Sequence, residues 1–149
     1  MVPMSPTGTP DDAALWRLIG TTGRGVLATV KRDGRPQLST VDYLADPAAG
    51  LIRFSTRDGL AKVANLRRDP RASLHVARGD GSVYAVAEAS VELTPQSGDP
   101  ADATVEELVD VYRGAAGEHP DWDEYRTVMV ADRRLVVRLH VDRIYGYLG

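Results

Sequence analysis

Cysteine is absent from the 149 residues, which removes disulfides, thiolate metal sites and cysteine nucleophiles together. Lysine is nearly absent: of 18 basic residues only Lys31 and Lys62 are lysines, and the rest are arginines. No stretch approaches the roughly 18 apolar residues that a membrane-spanning helix needs. Positive charge is not in excess either, since 21 acidic residues leave a net charge of −3, a poor balance for wrapping nucleic acid. Met1 to Pro10 has neither a basic start nor an apolar run, so no secretory signal is expected. With 43% hydrophobic and 26% charged residues, the composition is that of an ordinary globular protein. The expectation is a small, soluble, cytoplasmic domain over residues 11–149, preceded by a flexible arm over residues 1–10.

What the sequence contains is mostly strand. Thr9-Pro10-Asp11-Asp12 reads as a helix start, with Leu15, Leu18 and Ile19 as its apolar stripe and Gly20 as its end. From Gly25 the period changes to two. β-prone runs flank Asp33-Gly34, a strong hairpin signal, and the second run extends through Val41-Asp42-Tyr43-Leu44. A strand over Leu51–Thr56 follows the turn at Asp46–Gly50. A helix over 59–68 is expected to bury Leu60, Val63, Ala64 and Leu66 or Arg67, and Asp69-Pro70 stops it. Further strands fall at Arg71–Ala77, Val83–Leu93 and from Leu135, where Leu135, Val137, Leu139 and Val141 alternate inward. Thr104-x-x-Glu107 reads as a capping box and Asp121-x-x-Glu124 as a second helix start. Six antiparallel strands without βαβ alternation predict a small barrel or closed sheet with connecting helices.

Most conventional catalytic sets are missing. His75, His119 and His140 never take the spacing that sets two ligands on one helix face. There is no Gly-x-Ser-x-Gly elbow and no glycine-rich nucleotide fingerprint. The acids at 106, 107, 121, 123 and 124 sit at helix starts, where the helix dipole accounts for them. One segment stands out: Phe54-Ser55-Thr56-Arg57-Asp58-Gly59-Leu60-Ala61-Lys62-Val63-Ala64-Asn65. A strand ending in two hydroxyl residues turns through Gly59 into a helix with Lys62 in its first turn. Free N–H groups, hydroxyls and one full positive charge make a phosphate cradle. The alternative is a helix capped by Thr56 or Asp58 with Lys62 in solvent.

Gly25-Val-Leu-Ala-Thr-Val, Asp33-Gly-Arg-Pro-Gln-Leu-Ser39, Ala61-Lys62-x-x-Asn65-Leu-Arg-Arg-Asp-Pro-Arg71 and Tyr84-Ala-Val-x-Glu88 occur in that order. Together they resemble the split β-barrel flavin and deazaflavin oxidoreductases, the superfamily that includes the pyridoxamine phosphate oxidases. The likeness continues through Gly117-Glu-His-x-Asp-Trp122-Asp-x-Tyr-Arg126 into the last strand. The subgroup most resembled is the mycobacterial-type proteins that bind the deazaflavin coenzyme F420. The resemblance implies a six-stranded split barrel that forms a homodimer with cofactor sites along the subunit interface. It implies Ser55, Thr56, Lys62 and Asn65 around the cofactor phosphate, with Arg57 beside them. It also implies Pro36, Gln37, Leu38 and Ser39 beside the tricyclic ring. Trp122 and Tyr125 are candidate interface anchors.

Departures from the oxidase pattern bear on the cofactor. Pyridoxamine phosphate oxidases usually carry an Arg-Lys pair where this chain has Ala61-Lys62, and a basic residue where it has Ser39-Thr40. Their arginine-rich C-terminal substrate signature is missing. Fewer phosphate cations argue for F420 over flavin mononucleotide (FMN). Arginines 57, 67, 68, 71 and 78 are available to the acidic tail of a deazaflavin, or form an ordinary solvated face. The expected activity is hydride transfer to an unsaturated small molecule, with the cofactor carrying the chemistry and no side chain as nucleophile. An FMN-dependent oxidase and a non-catalytic cofactor-binding protein are the alternatives.

Overall fold

The computed structural model describes residues 9–149, with side chains from Asp12 onward. Most of the arm expected over residues 1–10 therefore lies outside the described residues, but Thr9 and Pro10 already belong to helix α1 (Thr9–Thr22). Gly20 does not end this helix. Gly23 does, because its φ of 74° is open to glycine at little cost, and its N–H reaches the Ile19 carbonyl at 3.3 Å.

Strands β1 (Arg24–Val30) and β2 (Pro36–Asp42) form the expected hairpin. Its loop is closed by the Lys31 N–H donating to the Arg35 carbonyl at 2.8 Å. The sequence reading carried the second run straight on to Leu44, which made six strands; the structure has seven. At Tyr43 the chain leaves β1, whose first residue, Arg24, already pairs with Asp42. The following β3 (Leu44–Asp46) pairs instead with β4 (Leu51–Arg57). Tyr43 fixes this corner by donating from its buried hydroxyl to the Ile19 carbonyl at 2.6 Å and from its N–H to the Gly23 carbonyl at 3.1 Å.

Strands β5 (Arg71–Arg78), β6 (Val83–Leu93) and β7 (Arg134–Tyr147) complete an antiparallel sheet of order β2-β1-β5-β6-β7-β4-β3. Its two edges are consecutive in sequence and joined through Tyr43, so the sheet curls into a split barrel. Inside lie Leu27, Ile52, Phe54, Leu74, Val76 and Leu139, against Leu15, Leu18 and Ile19 of α1. Gly146 lets β7 pass this close: a Cβ there would sit 2.2 Å from the Tyr84 carbonyl oxygen and 2.9 Å from Leu15.

Helix α2 (Ala61–Arg68) follows β4. It buries Val63, Asn65 and Leu66, whereas Leu60 and Ala64, expected on the apolar face, are exposed. Helices α3 (Ala103–Ala116) and α4 (Trp122–Ala131) cover the other side of β7, where Val105, Leu108, Met129 and Val136 form a second cluster. Asp102 caps α3 by accepting from the Val105 N–H at 2.8 Å, displacing Thr104 from the expected role. Thr104 instead donates to the Pro95 carbonyl at 2.9 Å. Asp121 caps α4 as expected. Tyr125 is buried within the protomer and donates to the Leu108 carbonyl at 3.0 Å, so it is not an exposed interface anchor. Trp122 packs edge-on against it, with ring centroids 5.5 Å apart.

Candidate functional site

Helix α2 begins without a side-chain cap, at Leu60 in extended conformation. Asp58, the natural capping acid, is turned away: Arg67 holds both its oxygens, at 2.7 and 3.0 Å. That pairing lowers the Asp58 pKa, chiefly through the Arg67 hydrogen bonds. Neither capping alternative read from the sequence is realised. The first turn of α2 thus keeps free N–H groups and the positive end of its dipole.

Lys62 stands in that turn, half-buried, and makes no ion pair within 4 Å among the described residues. Burial lowers its pKa, because desolvation disfavours the charged form. Asn65 lies one turn on, on the same helix face. Its Nδ2 donates to Thr29 Oγ1 at 3.1 Å and to Gln37 Oε1 at 3.2 Å, while its Oδ1 accepts from Arg68 at 3.1 Å. Asn65 is therefore the tie between α2 and the β1–β2 hairpin, with its side-chain groups already committed. Ser39 shares the inner face of β2 with Gln37, and its buried hydroxyl has no hydrogen-bond partner.

Strand alternation divides the remaining sequence-derived residues. Thr56 is buried on the inner face with Ile52 and Phe54. Ser55 and Arg57 lie on the opposite face, so the two hydroxyls of the expected cradle do not point the same way. Pro36 and Leu38 belong to the outer side of the barrel, where Leu38 is 63% exposed. Of the arginines considered for an acidic tail, Arg67 and Arg71 are held by Asp58 and Asp69, each at 2.7 Å. Arg57 and Arg78 make no ion pair among the described residues.

Two cations escaped the sequence reading. Arg133 turns the chain from α4 into β7 with a φ of 54°, the one positive value outside glycine among the described residues. Its carbonyl accepts from the Asp58 N–H at 2.9 Å, and its guanidinium lies 3.7 Å from where a side chain on Gly59 would begin. Arg134, opposite Arg57 in register, reaches Ser55 Oγ at 3.4 Å. Its Nε is buried without a hydrogen-bond partner. An unusual backbone angle gives no signal in sequence, and contacts across some 79 positions give none without a fold.

The uncapped start of α2 with Lys62 in its first turn, Arg133 beside Gly59, and the unpartnered Ser39 hydroxyl and Arg134 Nε are the polar features that these elements present. The chain belongs to the pyridoxamine 5'-phosphate oxidase family, whose sequence profile matches residues 12–147. Among solved structures it is similar to the conserved hypothetical protein Rv2991 from Mycobacterium tuberculosis, with 24% identity and a TM-score of 0.71 over 99% of this chain and 86% of that one. It is also similar to an F420 reductase, with 24% identity and a TM-score of 0.60 over 87% of this chain and 94% of that one. A FAD-binding protein from Mesorhizobium loti aligns with 16% identity and a TM-score of 0.60 over 87% of each chain. Family and fold together support an oxidoreductase that uses a flavin-type cofactor.

Proposed function

We propose that this chain is a coenzyme F420-dependent reductase that passes hydride from the reduced deazaflavin to an unsaturated small molecule. The observation that carries the reading is Lys62: a half-buried lysine without an ion-pair partner, in the first turn of an uncapped helix. A phosphate there would restore the lost solvation of Lys62 and accept from the free N–H groups. The orphaned hydroxyl of Ser39 fits the same purpose, since a buried donor without a partner costs about 1–3 kcal/mol until something accepts from it. When bound, the cofactor supplies the hydride, and the reduced acceptor takes its proton from solvent. The residues of this chain bind and orient: Lys62 and Thr56 at the phosphate, Gln37 and Ser39 beside the ring, and Ser55 with Arg57 further along the anionic end. Asn65 acts by positioning Gln37 and α2.

The same proposal includes a cytoplasmic homodimer, with residues 11–149 acting as one cofactor-binding unit. The outer sheet face presents Leu38 and Tyr147, both exposed, with Tyr84 and Tyr145 partly exposed, as an apolar surface for a second copy. No described helix is long and apolar enough to cross a membrane.

FMN is the second reading, and Arg133 favours it, because its guanidinium near Gly59 supplies a cation close to the place where Ala61 lacks one. Equilibrium titrations with F420 and FMN side by side decide between them. F420 is expected to bind at least tenfold more tightly, a difference of about 1.4 kcal/mol. Tighter FMN binding, or retention of a yellow flavin through purification, would refute the deazaflavin assignment.

A further inference from the structure

Arg67 and Arg68 stand side by side in the last turn of α2, where cations suit the carbonyl end of a helix. Arg68 donates to the Val30 carbonyl at 2.7 Å and to Asn65 Oδ1 at 3.1 Å. Arg67 reaches instead to a residue that precedes the helix, and its two terminal nitrogens donate to the two oxygens of Asp58. Such a forked pair fixes the direction of a carboxylate as well as compensating its charge. Asp58 Oδ1 also accepts from the Gly59 N–H at 2.8 Å, and the Asp58 N–H donates to the Arg133 carbonyl at 2.9 Å. The segment that enters α2 is thus pinned at its carboxylate and at its backbone.

Asp58 depends on that partner more than Arg67 does. Its side chain is 16% exposed against 51% for Arg67, and a carboxylate largely shielded from water needs a cation or donors close by. Two other cations stand near it. Lys62 lies four residues on, in the first turn of α2, and the Arg133 guanidinium lies beside Gly59. An acid at a helix start also accepts from the free N–H groups there, so a released Asp58 would find both a charge and donors in the first turn of α2. Lys62 nevertheless has no carboxylate partner among the described residues, and burial is the sole cause of its lowered pKa. The acid and the lysine at this helix start are kept apart, and Arg67 is the group that holds the acid.

We propose that Arg67 is a positioning residue: by holding Asp58 it keeps that carboxylate off Lys62 and off the first turn of α2, and so leaves their positive charge for an external anion. Only the external anion rests on the function proposed above; the restraint on Asp58 stands on the ion pair. The test follows the Lys62 side-chain resonance of the full chain, without cofactor, through an alkaline titration. Lys31, in the β1–β2 loop, gives the one other lysine signal and serves as the reference. Arg67→Ala is expected to raise the Lys62 midpoint by about half a pH unit, the effect of a partly exposed ion pair. The Ala61 and Lys62 amide resonances should move downfield with it, as donors do when a carboxylate accepts from them. Asp58→Asn alone should not raise the midpoint, and Asp58→Asn combined with Arg67→Ala should return both signals to their wild-type positions. Signals that stay in place in Arg67→Ala, as expected if Asp58 turns to Arg133 or to water, would overturn the proposal. A change that persists in the double variant would overturn it too. F420 titrated into the same variants should bind Arg67→Ala about three- to fivefold more weakly than wild type and recover in the double variant. Wild-type affinity in Arg67→Ala would refute the competition between Asp58 and the anion. Failure of the wild type itself to bind F420 would refute the cofactor reading and leave the Lys62 comparison intact.

Discussion

Replacing Lys62 with alanine tests the anion site most directly, because the structure predicts opposite signs for binding and stability. Lys62 makes no ion pair among the described residues and is partly desolvated, and its pKa is lowered by that burial. The unfolded chain then holds the proton more tightly than the folded one, so the charged lysine costs stability at neutral pH, and stability rises with pH through the lowered folded value. Lys62→Ala should leave the apo fold unchanged or slightly more stable, within about 0.5 kcal/mol. Binding should move the other way. A hydrogen bond to a charged group contributes about 1.5–3 kcal/mol, so cofactor affinity should fall roughly ten- to a hundredfold. Wild-type affinity should also decline as pH rises towards the ordinary lysine range, earlier than an exposed lysine would allow. The assay is a fluorescence titration with F420, beside urea unfolding of the apo protein. Lys31→Ala is the control, since Lys31 is exposed in the hairpin loop. Equal loss in both variants would mean general electrostatic attraction, and no loss in either would place the phosphate elsewhere.

Tyr43→Phe should cost about 0.5–1.5 kcal/mol in urea unfolding, because it removes the shorter of the two hydrogen bonds to the Ile19 carbonyl at the barrel corner and leaves only that from the Gly23 N–H. Burial pushes the Tyr43 pKa up to about 12, so its contribution is complete below pH 10 and is lost as pH rises through 12; a deficit that is unchanged there would contradict the assignment. Gly146→Ala should destabilise by about 3 kcal/mol, since its Cβ meets the Tyr84 carbonyl, which is backbone and cannot turn aside. A variant with wild-type melting behaviour would show that β6 and β7 separate more easily than the packing implies. Leu38→Glu places a charge on the outer face and should shift light scattering from dimer towards monomer, with no change in the apo fold. A dimer that persists at micromolar concentration would move the interface off this face.

Local signals were legible where local physics decides. The Asp33-Gly34 turn, the alternation of β7 and the Asp121 cap each depend on residues within a few positions of one another. Strand count failed at Tyr43 because Val41 to Leu44 reads as continuous β, and only the partner strands end there. The apolar face of α2 failed for a related reason. Asn65 outcompetes Ala64 for burial because the inward Thr29 and Gln37 offer it hydrogen bonds, and a satisfied polar group can be buried at little net cost. Tyr125 looked like an interface aromatic, yet it is buried within the protomer, where Tyr112, His119 and Trp122 surround it with ring centroids 5.0–5.5 Å from its own. The helix that carries Lys62 was legible as a helix, with Gly59 before it and Asp69-Pro70 stopping it. The separation of Ser55 from Thr56 followed from period-two alternation and could have been read.

Arg133 and Arg134 change what the site asks of its ligand. From sequence, the case for a deazaflavin over FMN rested on a missing cation, with alanine at 61 where an oxidase has arginine, and on arginines available to an acidic tail. The fold brings a guanidinium near Gly59 from the other end of the chain, so the phosphate itself no longer separates the two cofactors. Discrimination then falls on charge beyond the phosphate. Arg57 and Arg134 face each other across β4 and β7, on the side of the strand that Ser55 occupies and Thr56 does not. FMN ends at its phosphate and has nothing to place against them. A deazaflavin continues into an acidic tail, and a carboxylate laid along this face would meet Arg57, which has no ion pair among the described residues, and Arg134, whose only carboxylate partner among them, Asp132, lies 3.7 Å away. The proposed preference for F420 would therefore stand on cations past the phosphate rather than on a deficit at it.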